Sequence, residues 1–190
     1  MAKDDRRVRR TKTMLQGALT TLLHEKDVKD ITVSELTALA DVNRGTFYSH
    51  YHDIYDMVEQ MESELFQQFS GVLDSYSEST LRHGLQPILR DVFVFIGRNL
   101  KLCMALLNLE RDTSFLERLK SIVQDKVMAE WRGLYHYLSD SQRNYALSFM
   151  VGGVIGLIQQ WMVQDLGETP EEMAAMAERL ISGGIAALGK

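Results

Sequence analysis

Residues 31–51 read ITVSELTALADVNRGTFYSHY, and this stretch decides the fold because it encodes two short helices joined by a tight turn. Thr32 suits a helix N-cap, and Glu35, three residues later, can return the capping-box hydrogen bond. Ile31 can pack on Leu36 across the first turn as a hydrophobic staple. The pattern predicts a first short helix over residues 32–40.

A second cap at Asn43 predicts another helix over residues 43–50. Val42 and Phe47 occupy its staple positions, so we expect Phe47 to point inward. The residues expected to face solvent are Arg44, Gly45, Thr46 and Tyr48. An arginine can bind guanine or phosphate through two hydrogen bonds, a glycine allows close backbone approach, and hydroxyl groups can bind bases or phosphate oxygens. Spacing alone leaves two interpretations open: a helix-turn-helix that reads DNA, or the polar face of an all-α protein that does not contact DNA.

Roughly residues 8–66 closely resemble the N-terminal domain of TetR-family transcriptional regulators. The resemblance rests on GTFYSHY at residues 45–51 and on the turn pattern Leu-x-x-x-Ala-x-Val at residues 36–42. It implies a positioning helix, a recognition helix with Phe47 and Tyr51 as inward anchors, and DNA-backbone clamps at Tyr48 and His50. The tail sequence has a looser similarity to a Firmicutes branch that includes activators of dihydroxyacetone-kinase genes.

The start of the expected fourth helix departs from the family pattern. Many relatives carry lysines there, whereas this chain has His52 and Ile54, which weakens the expectation of phosphate contacts from that helix. The residues expected to contact DNA are Arg6, Arg7, Arg10, Thr32, Ser34, Asn43, Arg44, Gly45, Thr46, Tyr48 and His50.

Charge is unevenly placed along the chain. Residues 1–52 hold nine Lys or Arg against seven Asp or Glu, whereas the rest holds 12 against 19. The basic residues concentrate at Lys3, Arg6, Arg7, Arg9, Arg10 and Lys12. Beside a recognition helix, such an arm fits contacts to phosphate or to the minor groove; the alternative is a solvated tail that only aids solubility.

Composition bounds the remaining possibilities. The chain has 190 residues, of which 45% are hydrophobic, enough for one large or two small cores. Its single cysteine, Cys103, lies among apolar neighbours, so we expect a buried, inert thiol and neither a disulfide framework nor a metal site. We find no Glu-x-x-His pair, phosphate-binding loop or nucleophile with a base, and therefore expect no enzyme and no cofactor. The charged start and the shortness of the apolar run 145–158 indicate a cytoplasmic protein with no membrane partner.

Helical periodicity with only two prolines predicts an all-α fold. We expect a DNA-binding domain at residues 1–66 and a helical regulatory and dimerisation domain at residues 67–190. The expected helices cover residues 6–25, 32–40, 43–50, a long one from 53, 86–108 with a break at 97–99, 114–138, 141–165 and 170–188.

The last two helices predict a homodimer. Residues 145–158 are apolar nearly all round and contain three glycines, so this helix must be buried on most sides. The final helix begins with Thr169 as cap, Pro170 and a capping-box Glu172. A twofold dimer would cover both helices and would read a palindromic operator; the alternative is a monomer whose last helices close its own core. The expected interface residues are Phe149, Gly153, Leu157, Trp161, Met173, Leu180, Ile181 and Ile185.

Flexible and aromatic side chains between residues 84 and 138 could line a ligand cavity, although the same stripe also fits ordinary core. The candidate lining residues are Phe93, Cys103, Met104, Phe115, Trp131 and Tyr135. The resemblance implies a repressor that an unidentified small-molecule effector releases from DNA. The alternatives are an activator, or a helical adaptor, that acts through a partner protein.

Overall fold

The computed structural model describes residues 2–77, 84–107, 114–134, 139–164 and 166–188, with side chains at 6–77, 84–106, 115–126, 139–164 and 166–184. The described residues form helices and no strand, which confirms the all-α class. The helices are α1 (Ala2–Glu25), α2 (Val33–Leu39), α3 (Arg44–Tyr48), α4 (Ile54–Asp74), α5 (Gln86–Arg98), α6 (Leu100–Leu107), α7 (Ser114–Leu134), α8 (Asp140–Val163) and α9 (Pro170–Leu188), and a 3-10 turn, Val28–Asp30, follows α1.

The first compact unit comprises the chain up to Phe66 together with α6 from Lys101 onward. Its core contains Leu15 and Leu19 of α1, Leu36 of α2 and Phe47 of α3, each fully buried. We expected α6 in the second domain, and this was wrong. Ala105 of α6 is buried in the first core, and His24 Nε2 lies 3.0 Å from the Lys101 carbonyl oxygen.

The second unit comprises residues Gln67–Leu100 and the chain from α7 onward. At its centre the ring of Phe93 in α5 meets Trp161 of α8 edge-on, with centroids 5.3 Å apart. The indole N–H of Trp161 donates to the Glu168 carbonyl oxygen at 2.8 Å, so the buried polar group of this large side chain is satisfied.

A carboxylate of α9 caps α5 within this unit. Leu85 at the N-cap position of α5 supplies no side-chain hydrogen bond. Glu178 Oε1 instead accepts from the backbone N–H groups of Leu85 and Gln86 at 2.8 and 3.0 Å. Gly84, with φ +126°, precedes them, and a Cβ there would lie 2.9 Å from the same carboxylate oxygen. Glycine therefore suits position 84, because it tolerates this backbone angle and leaves room for the Glu178 carboxylate.

α8 lies close to the expected range 141–165 and is only partly buried within the subunit. It begins with a capping box between Ser139 and Gln142. By length and composition it is the helix of the described chain that could cross a membrane, a property that core and interface helices of soluble proteins also have. Tyr145 and Phe149 are 77% and 74% exposed within one subunit, so the burial on most sides that we expected from a twofold dimer stays a prediction.

Candidate nucleic-acid interface

The N-terminus of α2 forms as its cap predicts, with one difference. Thr32 Oγ1 accepts a hydrogen bond from the Glu35 N–H at 3.2 Å. The Glu35 carboxylate pairs with the Lys26 ammonium, so the structure shows this partner for Glu35 where the sequence predicted a return bond to Thr32. This ion pair ties the segment after α1 to α2.

The turn between α2 and α3 contains a residue with left-handed backbone conformation. Asp41 has φ +52°, which aspartate tolerates better than most residues but less well than glycine. The N–H of Val42 then donates to the Thr37 carbonyl oxygen at 3.0 Å. This closes α2 and directs the chain into α3.

α3 is a five-residue helix held by its cap and one buried ring. Asn43 Oδ1 accepts from the Gly45 N–H at 2.8 Å. Phe47 has no exposed surface and contacts Tyr51, with ring centroids 5.6 Å apart. The helix is shorter than the expected 43–50 because the N–H of His50 bonds to the Phe47 carbonyl oxygen in a tighter turn.

The residues around Phe47 form an outward face, as the staple pattern predicted. Tyr48 is 53% exposed, and Arg44 and Gly45 are also exposed. Thr46 and His50 are half-buried, whereas Thr32, Ser34 and Asn43 are exposed. A Cβ at position 45 would lie 3.3 Å from Asn43 Oδ1, a tight contact that a shift of the Asn43 side chain by a few tenths of an ångström would relieve.

The start of α4 is occupied by carboxylates. Asp53 Oδ1 accepts from the Asp56 N–H at 2.9 Å, and Asp56 Oδ2 accepts from the His52 N–H at 2.7 Å. The backbone bond from His52, and a second bond from Gln60, lower the pKa of Asp56. Ile54 is buried. This helix start therefore presents negative charge at the place where the resemblance implied lysines.

The basic face of α1 separates into two groups. Arg6, Arg7, Arg9 and Arg10 are exposed. Lys12 is half-buried and lies 3.9 Å from a Glu64 carboxylate oxygen of α4. The exposed arginines are therefore free to meet an anion, whereas Lys12 has a partner inside the unit.

The expected ligand-pocket residues do not share one unit. Phe93 and Phe115 are buried in the second unit, whereas Cys103 and Met104 belong to the first. Burial raises the pKa of the Cys103 thiol to about 12, so it remains protonated and unreactive. The side chains of Trp131 and Tyr135 lie outside the described residues. The described members therefore belong to two different units, and the expected pocket stays a prediction.

The expected dimer residues divide into an exposed and a buried group. Phe149, Gly153 and Leu180 are exposed and Leu157 is half-buried. Trp161, Met173 and Ile181 are buried inside the subunit and have little surface left for a partner to cover, whereas the interface itself stays a prediction. The side chain of Ile185 lies outside the described residues.

Several exposed positions on α8 were missed. Tyr145, Gly152, Gly156 and Val163 share the face of Phe149. Their steps of three, four and seven residues were visible in the sequence. In a helix that is apolar nearly all round, however, this spacing does not say which face is outward.

Comparisons with known proteins agree with this architecture. A 58-residue stretch, 30% of this chain, is 41% identical to an uncharacterized HTH-type transcriptional regulator, YxbF, of Bacillus subtilis, and spans 15% of that protein's length. The dihydroxyacetone kinase operon activator DhaS has a similar solved structure, with 16% identity, TM-score 0.65, and 93% of this chain and 97% of that one covered. So does SmeT, the repressor of the Stenotrophomonas maltophilia multidrug efflux pump SmeDEF, with 15% identity, TM-score 0.69, and coverage of 91% and 89%.

The family model TetR_C_8, described as the transcriptional regulator C-terminal region, matches residues 84–183. This match covers more than half of the chain and lies entirely outside the helix-turn-helix. The chain therefore belongs to the TetR family of transcriptional regulators, as the resemblance of residues 8–66 implied.

Proposed function

We propose that this regulator is a homodimer that binds a palindromic DNA operator through α3. The observation that carries the proposal is the outward face of α3, where Arg44 and Tyr48 stand exposed on either side of the buried Phe47. A short helix held by a cap and a buried ring presents these side chains in a fixed direction. Arg44 would read a guanine or grip a phosphate, and Tyr48 would bond to the backbone.

Phosphate neutralisation would come mainly from α1. Its four exposed arginines supply positive charge in a chain whose overall charge is −5. The carboxylates at the start of α4 oppose a phosphate there. Binding should therefore weaken steeply as salt rises, because each phosphate contact releases condensed counterions.

A second copy of the chain is the proposed occupant of the exposed face of α8 and α9. Tyr145, Phe149 and Val163 on α8 are each about three-quarters exposed, and Leu180 on α9 is 59% exposed. Glycines lie between them, and a Cβ at Gly152 would meet nothing within 4 Å inside the subunit. A mid-helix glycine is unfavourable, so close approach of another helix gives it a reason. The twofold axis of such a dimer relates its two recognition helices, so the DNA site that they bind must be palindromic.

The proposed mode of control is repression that a small-molecule effector relieves. SmeT is named as a repressor and shares this fold. α4 contributes residues to both compact units, which offers a continuous element for coupling an effector to DNA affinity. The alternative is activation through a partner protein, since DhaS, an operon activator, also shares the fold. In either case we propose a cytoplasmic protein that carries out no chemistry.

The experiment is selection of bound duplexes from a random DNA pool by the purified protein at two salt concentrations. We expect a palindromic consensus and a steep decrease in affinity with salt. The same selection with Arg44→Ala tests the role of this residue, because that variant should lose enrichment at the guanine positions. Absence of any enriched sequence with the wild-type protein would contradict the proposal and favour a helical adaptor that does not bind DNA.

A further inference from the structure

Lys12 differs from the exposed arginines of α1, because it contacts side chains inside the first unit. Lys12 and Gln16 lie one helical turn apart and engage opposite oxygens of Glu64 on α4. The Lys12 Nζ lies 3.9 Å from Oε1, and Gln16 Nε2 donates to Oε2 at 3.0 Å. Two consecutive turns of α1 thus hold one carboxylate of α4.

Lys12 also lies over an aromatic ring. Its Nζ is 5.7 Å from the centroid of Tyr51, within the range of a cation–π interaction. Tyr51 is 2% exposed, and among the described residues its hydroxyl has no hydrogen-bond partner. The ring is therefore positioned by its packing and by Lys12, and not by its hydroxyl group.

Tyr51 links Lys12 to the recognition helix α3. Its ring contacts Phe47, the buried anchor of α3. Burial, followed by the charges of Glu64 and Asp56, raises the pKa of Tyr51 to about 12, so the phenol remains neutral beneath the lysine. The contacts run from Glu64 through Lys12 and Tyr51 to Phe47.

We propose that Lys12 is a positioning residue, which sets the orientation of α3 through Tyr51 and Phe47, and that it is not a phosphate contact. The statement about α3 orientation rests on the proposed DNA-binding function. The contact between Lys12 and Tyr51 does not, and it can be tested without DNA.

The DNA-independent test is a double-mutant cycle of Lys12→Met and Tyr51→Leu, measured by denaturant unfolding. We expect the two changes to be coupled, with an unfolding equilibrium constant that departs about two- to fivefold from additivity. Strict additivity would overturn the contact and with it the proposal.

The DNA test compares Lys12→Met with Arg10→Met, an exposed arginine on the same helix. Each variant is titrated with the duplex that the wild-type protein selects and with an unrelated duplex of equal length, at several salt concentrations. We expect Lys12→Met to weaken operator binding about three- to tenfold, with unchanged salt slope and unchanged affinity for the unrelated duplex. Arg10→Met should lower both affinities and reduce the slope by about one.

A slope that decreases equally in both variants would make Lys12 a phosphate contact and overturn the proposal. Unchanged operator affinity in Lys12→Met would do the same. Lys12→Arg keeps the cation and should restore wild-type binding, so a folded Lys12→Arg protein that binds weakly would also refute it. Glu64→Ala separates the effect of charge from the effect of positioning. Removing a negative charge should by itself strengthen binding to any DNA. Loss of the Lys12 partner should instead lower the ratio of operator affinity to affinity for the unrelated duplex, which is the result that the proposal expects.

Discussion

Alanine at Gly152 or Gly156 should stabilise the subunit and weaken the dimer. Both glycines are exposed on α8, and an added Cβ at either would meet nothing within 4 Å. Within one subunit the change therefore only improves helix propensity, by about 0.8–1.0 kcal/mol. For a chain of this size that corresponds to a rise in melting temperature of about 2–4 °C.

At a dimer interface the same methyl group acts in the opposite direction. If the partner helix approaches the glycines closely, the Cβ atoms that one substitution adds to the two subunits separate the helices or force strained rotamers, at a total cost of about 1–3 kcal/mol. The dimer dissociation constant should then rise about five- to 150-fold. Gly71→Ala is the matched control, because Gly71 is an exposed glycine of α4 that also has nothing within 4 Å.

Sedimentation velocity over a dilution series measures the dissociation constant, and denaturant melts of the dilute, monomeric protein measure subunit stability. We expect Gly71→Ala to raise stability alone, and Gly152→Ala and Gly156→Ala to raise stability and the dissociation constant together. Equal dissociation constants for all three variants would refute the reasoning that α8 carries the interface.

Other substitutions test the remaining parts of the structure. Arg44→Ala should weaken operator binding by about 1–3 kcal/mol and relax specificity at one base position, as measured by competition titration; a uniform loss across all sequences would make Arg44 a phosphate contact. Gly84→Ala should destabilise the protein by about 1–3 kcal/mol in denaturant melts, because it forces a side chain into a glycine conformation against Glu178; wild-type stability would show that the Glu178 cap does not form. Asp41→Gly should leave stability equal or slightly higher, by up to about 1 kcal/mol, since φ is +52° there; a clear loss would reveal a role for the carboxylate. The pKa of Asp56 is lowered in the folded state. Its contribution to the free energy of unfolding is therefore present above the unfolded-state pKa and is lost as pH falls through the folded-state pKa. Asp56→Asn should weaken the dependence of the unfolding free energy on pH in the acid range, as measured by denaturant melts at several pH values.

Local chemistry made much of the helical framework predictable. The caps at Thr32, Asn43 and Thr169 form at the expected positions, because a cap depends on residues within three positions of one another. The break between α5 and α6 also falls at Asn99, as the polar interruption of an apolar pattern indicated. Such features need no knowledge of distant parts of the chain.

Long-range contacts could not be predicted in this way. Glu178 caps a helix that begins more than 90 residues earlier. The residues around Glu178 and around the start of α5 contain no pattern that indicates this pairing. Trp161 and Phe149 were both expected at one interface, yet one is 2% and the other 74% exposed. Because the surrounding helix is apolar nearly all round, its periodicity did not separate the inward face from the outward face.

The glycines show how structure separates a functional signal from a structural one. At Gly84 a carboxylate lies where a Cβ would stand, and at Gly45 the Asn43 cap lies 3.3 Å from that position. The fold of one subunit thus accounts for Gly84, whereas at Gly45 an added Cβ would require only a small shift of the Asn43 side chain. Gly152 and Gly156 have no such neighbour, and each costs the helix stability that alanine would restore. Gly71 of α4 is equally open, so an open glycine does not by itself mark an interface. On α8, however, Gly152 and Gly156 share a face with the exposed side chains of Tyr145, Phe149 and Val163, and this combination is the reason for proposing that a second copy of the same helix packs there.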